Sequence, residues 1–91
     1  MRTVSIVIPN YNGKHFLEDC LRSVFAQDIE DQEVIVVDNG STDGSLEYLN
    51  ACPGVRTIAM DKNYGFCGAV NAGIKAAGSQ LLATGYWYVG R

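Results

Sequence analysis

The stretch "EVIVVDNGSTDGS", Glu33 to Ser45, decides the reading of this chain. Its first half is an unbroken apolar run that closes on Asp38. A strand covered by helices on both faces reads this way, with no polar alternation. Its second half switches at once to Asn39, Gly40, Ser41, Thr42, Asp43 and Gly44, all residues that favour turns. The stretch raises a question of its own: why a buried strand ends on a carboxylate and then turns so tightly.

Working outward, segments of two kinds alternate. "TVSIVIP" is β-branched and ends at Pro9, which reads as a strand. "KHFLEDCLRSVFAQ" places Phe16, Leu17, Cys20, Leu21, Val24 and Phe25 on one helical face. Asn12 is placed as its N-cap, with Gly13 allowing a tight lead-in. "SLEYLNAC" reads as a short helix stopped by Pro53 and Gly54, and "VRTIAM" as a third strand. "GFCGAVNAGIKAAG" is a helix rich in small residues, and "QLLATGYWYV" a fourth strand interrupted by Gly85. The order β-α-β-α-β-α-β predicts a three-layer αβα, Rossmann-like, open and mostly parallel sheet with right-handed crossovers. Ligands of such sheets sit beyond the carboxyl ends of the strands, where Asp38 falls. A carboxylate there either accepts hydrogen bonds from a ligand or satisfies amides of its own loop, and both readings stand.

Composition narrows the function classes. The 91 residues suffice for one small domain, 1–91. Apolar residues make up 47% and charged residues 19%, an ordinary globular balance that argues against disorder. The net charge of −3 and the scattered basic residues argue against a nucleic-acid partner. No apolar run reaches the length of a membrane span, and no signal peptide is legible, so the expected compartment is the cytoplasm. Cys20, Cys52 and Cys67 are odd in number and widely spaced, and His15 is the only histidine, which disfavours a zinc site. They read as small, mostly buried thiols. "PNYNG" follows the first strand where a dinucleotide fold needs its glycine fingerprint, and no phosphate-binding loop of the Gly-Lys-Ser/Thr type is present. Gly65, Gly68 and Gly73 have the wrong spacing for either and suit close helix–sheet packing.

Taken together, "VSIVIPNYNG", "VIVVDNGSTDGS" and "NYGFCGAVNAGIKAA" resemble the N-terminal part of family-2 glycosyltransferases of the GT-A fold. The resemblance runs from about Thr3 to Ala77 and leaves a divergent tail, 78–91. It implies transfer of a sugar from a nucleotide-diphosphate donor, with uridine diphosphate the first expectation and Mg²⁺ or Mn²⁺ the usual metal. It assigns Pro9 and Tyr11 to the nucleotide base, with the Tyr11 ring against a pyrimidine. Asp38 would bond the base or ribose, with Asn39, Gly40 and Ser41 shaping that wall. Lys62, Asn63 and Gly65 would lie beside the diphosphate. Asp43 is given a bracing or capping role.

The tail departs from the resemblance. Family members end the next strand in an Asp-any-Asp motif that holds the metal, whereas "GSQLLATGYWYVGR" contains no acid. The expectation is a nucleotide-binding half, without catalytic residues, metal ligands or a resident cofactor, inactive alone. The competing class is a non-catalytic nucleotide-binding or assembly module. "YWYV", Tyr86 to Val89, together with an open sheet edge, predicts self-association, most simply as a homodimer.

Overall fold

A computed structural model describes residues 4–27, 32–77 and 81–84. Seven elements follow the expected order: β1 (Val4–Asn10), α1 (Lys14–Phe25), β2 (Gln32–Asp38), α2 (Ser45–Asn50), β3 (Val55–Ala59), α3 (Gly65–Ala76) and β4 (Leu81–Thr84). The strands form one parallel sheet in the order β3-β2-β1-β4. The chain therefore runs one way across the sheet, from β1 to β3, and then returns to the far side of β1. The fourth strand is described only at Leu81–Thr84; the remainder of the stretch assigned to it, including "YWYV", lies outside the described residues.

The sheet separates two apolar cores. On one face Ile6, Ile8, Val34 and Val36 pack with Leu17, Cys20, Leu21 and Val24 of α1 and Leu49 of α2. On the other, Val7, Ile35 and Val37 pack with Ala69 of α3. This is why "VIVV" lacks polar alternation: adjacent residues face different helices, and all four are buried. The result is the αβα three-layer sheet that the residue pattern predicts. Burying a Val, Leu or Ile side chain stabilises the fold by about 1.5–3 kcal/mol.

Several local expectations change. α1 buries only Leu17, Cys20, Leu21 and Val24, an i, i+3, i+4, i+7 stripe. Phe16 and Phe25, which the sequence placed on the same face, are 41% and 46% exposed. Gly13, not Asn12, occupies the N-cap position of α1, and no side chain of its own caps it. Gly13 sits at an ordinary negative φ of −109°, so its conformational freedom is not what the turn uses. Asn12 is the residue that adopts the left-handed region, at φ 54°. Asn tolerates that region better than most non-glycine residues. Of the three thiols only Cys20 is buried; Cys52 is half-buried and Cys67 exposed. Burial pushes the Cys20 thiol up to about 11.

Pro9 is tolerated in a central strand for a geometric reason. The carbonyl of Asn10 accepts from Asn39 N on the β2 side. Alternation turns the backbone of Pro9 toward the β4 side, where the described pairing ends at Val7–Thr84. Its missing N–H thus costs no described ladder bond.

Gly73 sets how closely α3 approaches the sheet. A Cβ built there would overlap Val7 Cγ1 and lie 3.2 Å from Val37 Cγ2. Gly73→Ala gains about 1 kcal/mol of helix propensity, but overpacking a core site costs about 1–3 kcal/mol. The overlap on buried Val7 decides the balance. Urea unfolding of Gly73→Ala is expected to show a lowered midpoint at unchanged slope; a raised midpoint would show that α3 can lift off the sheet freely.

Candidate functional site

Strand order reverses between β1 and β4, and in open α/β sheets the crevice beyond the carboxyl ends at such a reversal is where ligands bind. Three loops meet at this end of the sheet, those following β1, β2 and β3. Strand alternation divides their side chains between two faces. Asn10 and Asp38 continue the face of Ile8 and Val36, toward α1. Pro9 and Asn39 continue the face of Val7 and Val37, toward α3.

The α1-side network answers the question posed by Asp38. The residue is buried, 2% exposed. One carboxylate oxygen, Oδ1, accepts from Asn10 Nδ2 at 3.1 Å, and the other, Oδ2, accepts from Ser41 N at 3.1 Å. The second bond closes the tight turn. The first ties β2 to β1. Ser41 Oγ accepts from Asn12 N at 2.9 Å and, at a longer 3.4 Å, from Asn10 Nδ2. Asn12 Oδ1 accepts from Thr42 N at 2.8 Å. Asp43 has the bracing and capping role given to it, but for two helices: it accepts from Lys14 N at the start of α1 and from Ser45 N at the start of α2, each at 3.0 Å. Each bond removes an orphan helix donor. Slight desolvation acts against the charged form of Asp43, and the bonds from the Ser45 hydroxyl and the Lys14 and Ser45 amides overcome it, holding the carboxyl below its ordinary value.

The α3-side network is built on Asn39, which is fully buried. Its Oδ1 accepts from Tyr64 N at 2.9 Å, and its Nδ2 donates to Asn63 Oδ1 at 2.9 Å and to Gly65 O at 3.0 Å. Asn63 Oδ1 also accepts from Gly65 N at 2.7 Å, closing the start of α3. Next to this latch, Gly40 lies against the β3–α3 loop: a Cβ on it would stand 2.8 Å from both Cα and C of Lys62. With φ at 79°, Gly40 is required both for space and for conformation. Gly65 has φ 80°, and a Cβ there would meet nothing within 4 Å, so its need is conformational.

The structure thus brings Asn39, Asn63 and Gly65 together and sets Lys62, exposed, on the same loop. Asp38 and Ser41 are joined on the other face. Tyr11 is half-buried on the β1–α1 loop. Asn10, Asn12 and Tyr64 were not singled out from sequence as part of this end of the sheet. A second polar side chain straight after Pro9 was the available signal for Asn10. Its Oδ1 is buried and has no partner among the described residues. A separate groove of about 450 Å³, lined by Lys14, His15, Glu18, Asp43 and Tyr48, lies between α1 and α2 and includes none of the predicted nucleotide residues.

Residues 5–84 match the model of glycosyl transferase family 2. The chain belongs to this family. An uncharacterised glycosyltransferase of Nostoc sp. is 37% identical over 87 residues, which are 88% of this chain and 26% of that protein. EpsJ of Bacillus subtilis, also an uncharacterised glycosyltransferase, is 40% identical over 78 residues, 81% of this chain and 22% of its own. This family-2 chain therefore spans about a quarter or less of the curated relatives it matches. Among solved structures, the mannosyltransferase PcManGT from Pyrobaculum calidifontis, in complex with GDP-Man and Mn²⁺, superposes with a TM-score of 0.78 at 25% identity, over 90% of this chain and 26% of that one. S. aureus TarS 1–349 in complex with UDP superposes with a TM-score of 0.82 at 25% identity, again over 90% and 26%.

The PcManGT structure holds Mn²⁺. Among the described residues no three His, Cys, Asp or Glu side chains converge. Asp61, the last acid in the sequence, accepts a hydrogen bond from the Tyr64 hydroxyl. Among the described residues, no helix is long and apolar enough to cross a membrane.

Two outcomes follow for the rim. Asn39→Ala leaves the Tyr64 amide and the Gly65 carbonyl without their partner, a loss of about 1–3 kcal/mol. Hydrogen exchange at Tyr64 N should accelerate markedly, while amides of β1 respond only to the global loss; unchanged protection at Tyr64 would refute the latch. Because the Asp43 carboxyl is depressed in the folded chain, its contribution is present above the ordinary carboxylate value and is lost as pH falls through the folded one. Asp43→Asn is expected to flatten that acid limb of a stability–pH curve, measured by thermal unfolding at pH 2–5.

Proposed function

We propose that this chain is the nucleotide-binding half of a family-2 glycosyltransferase, taking the nucleoside diphosphate of a nucleotide-sugar donor. The observation that carries the reading is the meeting of the latched β2–α2 and β3–α3 loops beyond the carboxyl ends of their strands. That arrangement places Pro9, Tyr11, Ser41, Lys62, Asn63 and Gly65 around one end of the sheet. UDP is the first ligand to test. Support comes from the similarity to TarS, whose structure holds UDP, although the similarity to PcManGT, whose structure holds GDP-Man, keeps guanosine in the panel.

The roles follow from chemistry. The Tyr11 ring offers a face to a pyrimidine. Lys62 is an exposed cation beside the expected diphosphate, where it offsets negative charge on the leaving group. Asp38, with both oxygens engaged inside the protein, shapes the wall by fixing the Ser41 turn and the end of β1. A divalent metal, when bound in a complete family enzyme, supplies further charge neutralisation to the leaving diphosphate. No acid follows Asp61 in this chain, so we place the metal ligands and the base that activates an acceptor outside it.

Isothermal titration with UDP, GDP and uridine tests the reading. UDP should bind weakly and better than uridine. Asp38→Ala should cost about 1–3 kcal/mol of stability, because it leaves the Ser41 amide and the Asn10 side chain unpaired, and should weaken UDP by releasing the Ser41 turn. Identical titrations for a folded Asp38→Ala and the wild type would sink this role for Asp38; no heat from any nucleotide would sink the whole reading.

A further inference from the structure

Beside the crevice, Asp61, Lys62 and Tyr64 of the β3–α3 loop form a unit of which the nucleotide reading uses only Lys62. Lys62 Nζ stands over the ring of Tyr64, 5.3 Å from its centroid, within the range of a cation–π contact. The Tyr64 hydroxyl donates to Asp61 Oδ1. Among the described residues Lys62 has no carboxylate within ion-pair distance, although Asp61 is its chain neighbour. The backbone beneath this trio is fixed. The main chain of Lys62 lies against Gly40, and Tyr64 N is bonded to buried Asn39.

We propose that Tyr64 is a positioning residue that keeps the charge of Lys62 available for the diphosphate of the ligand. Its ring stations the ammonium, and its hydroxyl occupies the carboxylate that would otherwise neutralise it. An aromatic face holds a cation without cancelling its charge, whereas a carboxylate would compete directly with phosphate oxygens for the same ammonium. The hydrogen bond to Asp61, aided by slight desolvation and the nearby negative charge, raises the Tyr64 phenol above its ordinary value. Tyr64 is 46% exposed and Asp61 is also exposed, so the device sits on the open rim, where a ligand has direct access. The inference rests on the nucleotide reading and adds a residue to it.

The test uses the full chain with UDP and uridine as probes. Tyr64→Phe keeps the ring and the backbone bond to Asn39 but frees Asp61 to pair with Lys62. UDP affinity should fall by roughly twofold to fivefold, the range of an exposed ion pair of up to about 1 kcal/mol. Uridine, which lacks phosphates, should bind as before. Adding Asp61→Asn to Tyr64→Phe removes the competing carboxylate and should restore UDP binding, a rescue that a merely structural role for Tyr64 would not produce. UDP binding that Tyr64→Phe leaves untouched, equal losses for UDP and uridine, or failure of the double variant to recover each overturns the role of Tyr64 while leaving the nucleotide reading intact. Failure of the wild type to bind UDP at all overturns the nucleotide reading and takes the ligand of this proposal with it.

Discussion

The amide of Asn39 is the constraint on which this end of the molecule depends. A buried amide must use both its donor and its acceptor, and this one spends them on a single partner loop. Three directional bonds from one side chain fix both distance and orientation. The contact of Gly40 with the Lys62 backbone follows from that fit, because the two loops could not come so close with a side chain between them. The position of Lys62, and the course of the chain into α3, follow in turn.

Asp38 and Asn39 are neighbours in sequence that act on opposite faces of the sheet. Asp38 binds the β1–α1 side together through Asn10 and Ser41, and Asn39 binds the β3–α3 side. The two networks meet at the end of β2, where Asn39 N also donates to the Asn10 carbonyl. This explains the abrupt change from "VIVV" to "DNGS": the strand stops where each face passes from an apolar helix to a polar loop. Asp43 then extends the α1-side network outward by serving the first turns of two helices at once.

The architecture was largely legible because it rests on patterns that survive without tertiary knowledge. The apolar run of β2, the turn cluster after it and the alternation of segments specify a parallel sheet with helices on both faces. What was not legible depended on partners distant in sequence. Asn12 has the composition of an N-cap, yet its side chain is drawn to Thr42, 30 residues on, and the cap of α1 comes from Asp43. Phe16 and Phe25 fit the helical period, but the stripe that the sheet can cover is narrower than the apolar face. Resemblance assigned Asn39 to the wall beside the base and Asn63 and Gly65 to the diphosphate side; the bonds that join the three are a matter of geometry. Tyr64 left no pattern at all, since a single exposed aromatic in a loop has no periodicity to betray it.

The fit between Gly40 and Lys62 also bears on how this loop pair can diverge. Exposed side chains of these two loops that take no part in the latch can be exchanged without disturbing it. The number of residues between Asp38 and the Gly40 contact, and between Met60 and Gly65, is not free to change. One residue added to either segment would move the amide of Asn39 out of reach of Tyr64 N, or push Gly40 into the main chain of its neighbour. Diversification in ligand preference must therefore proceed in these two loops by exchange of residues at constant length.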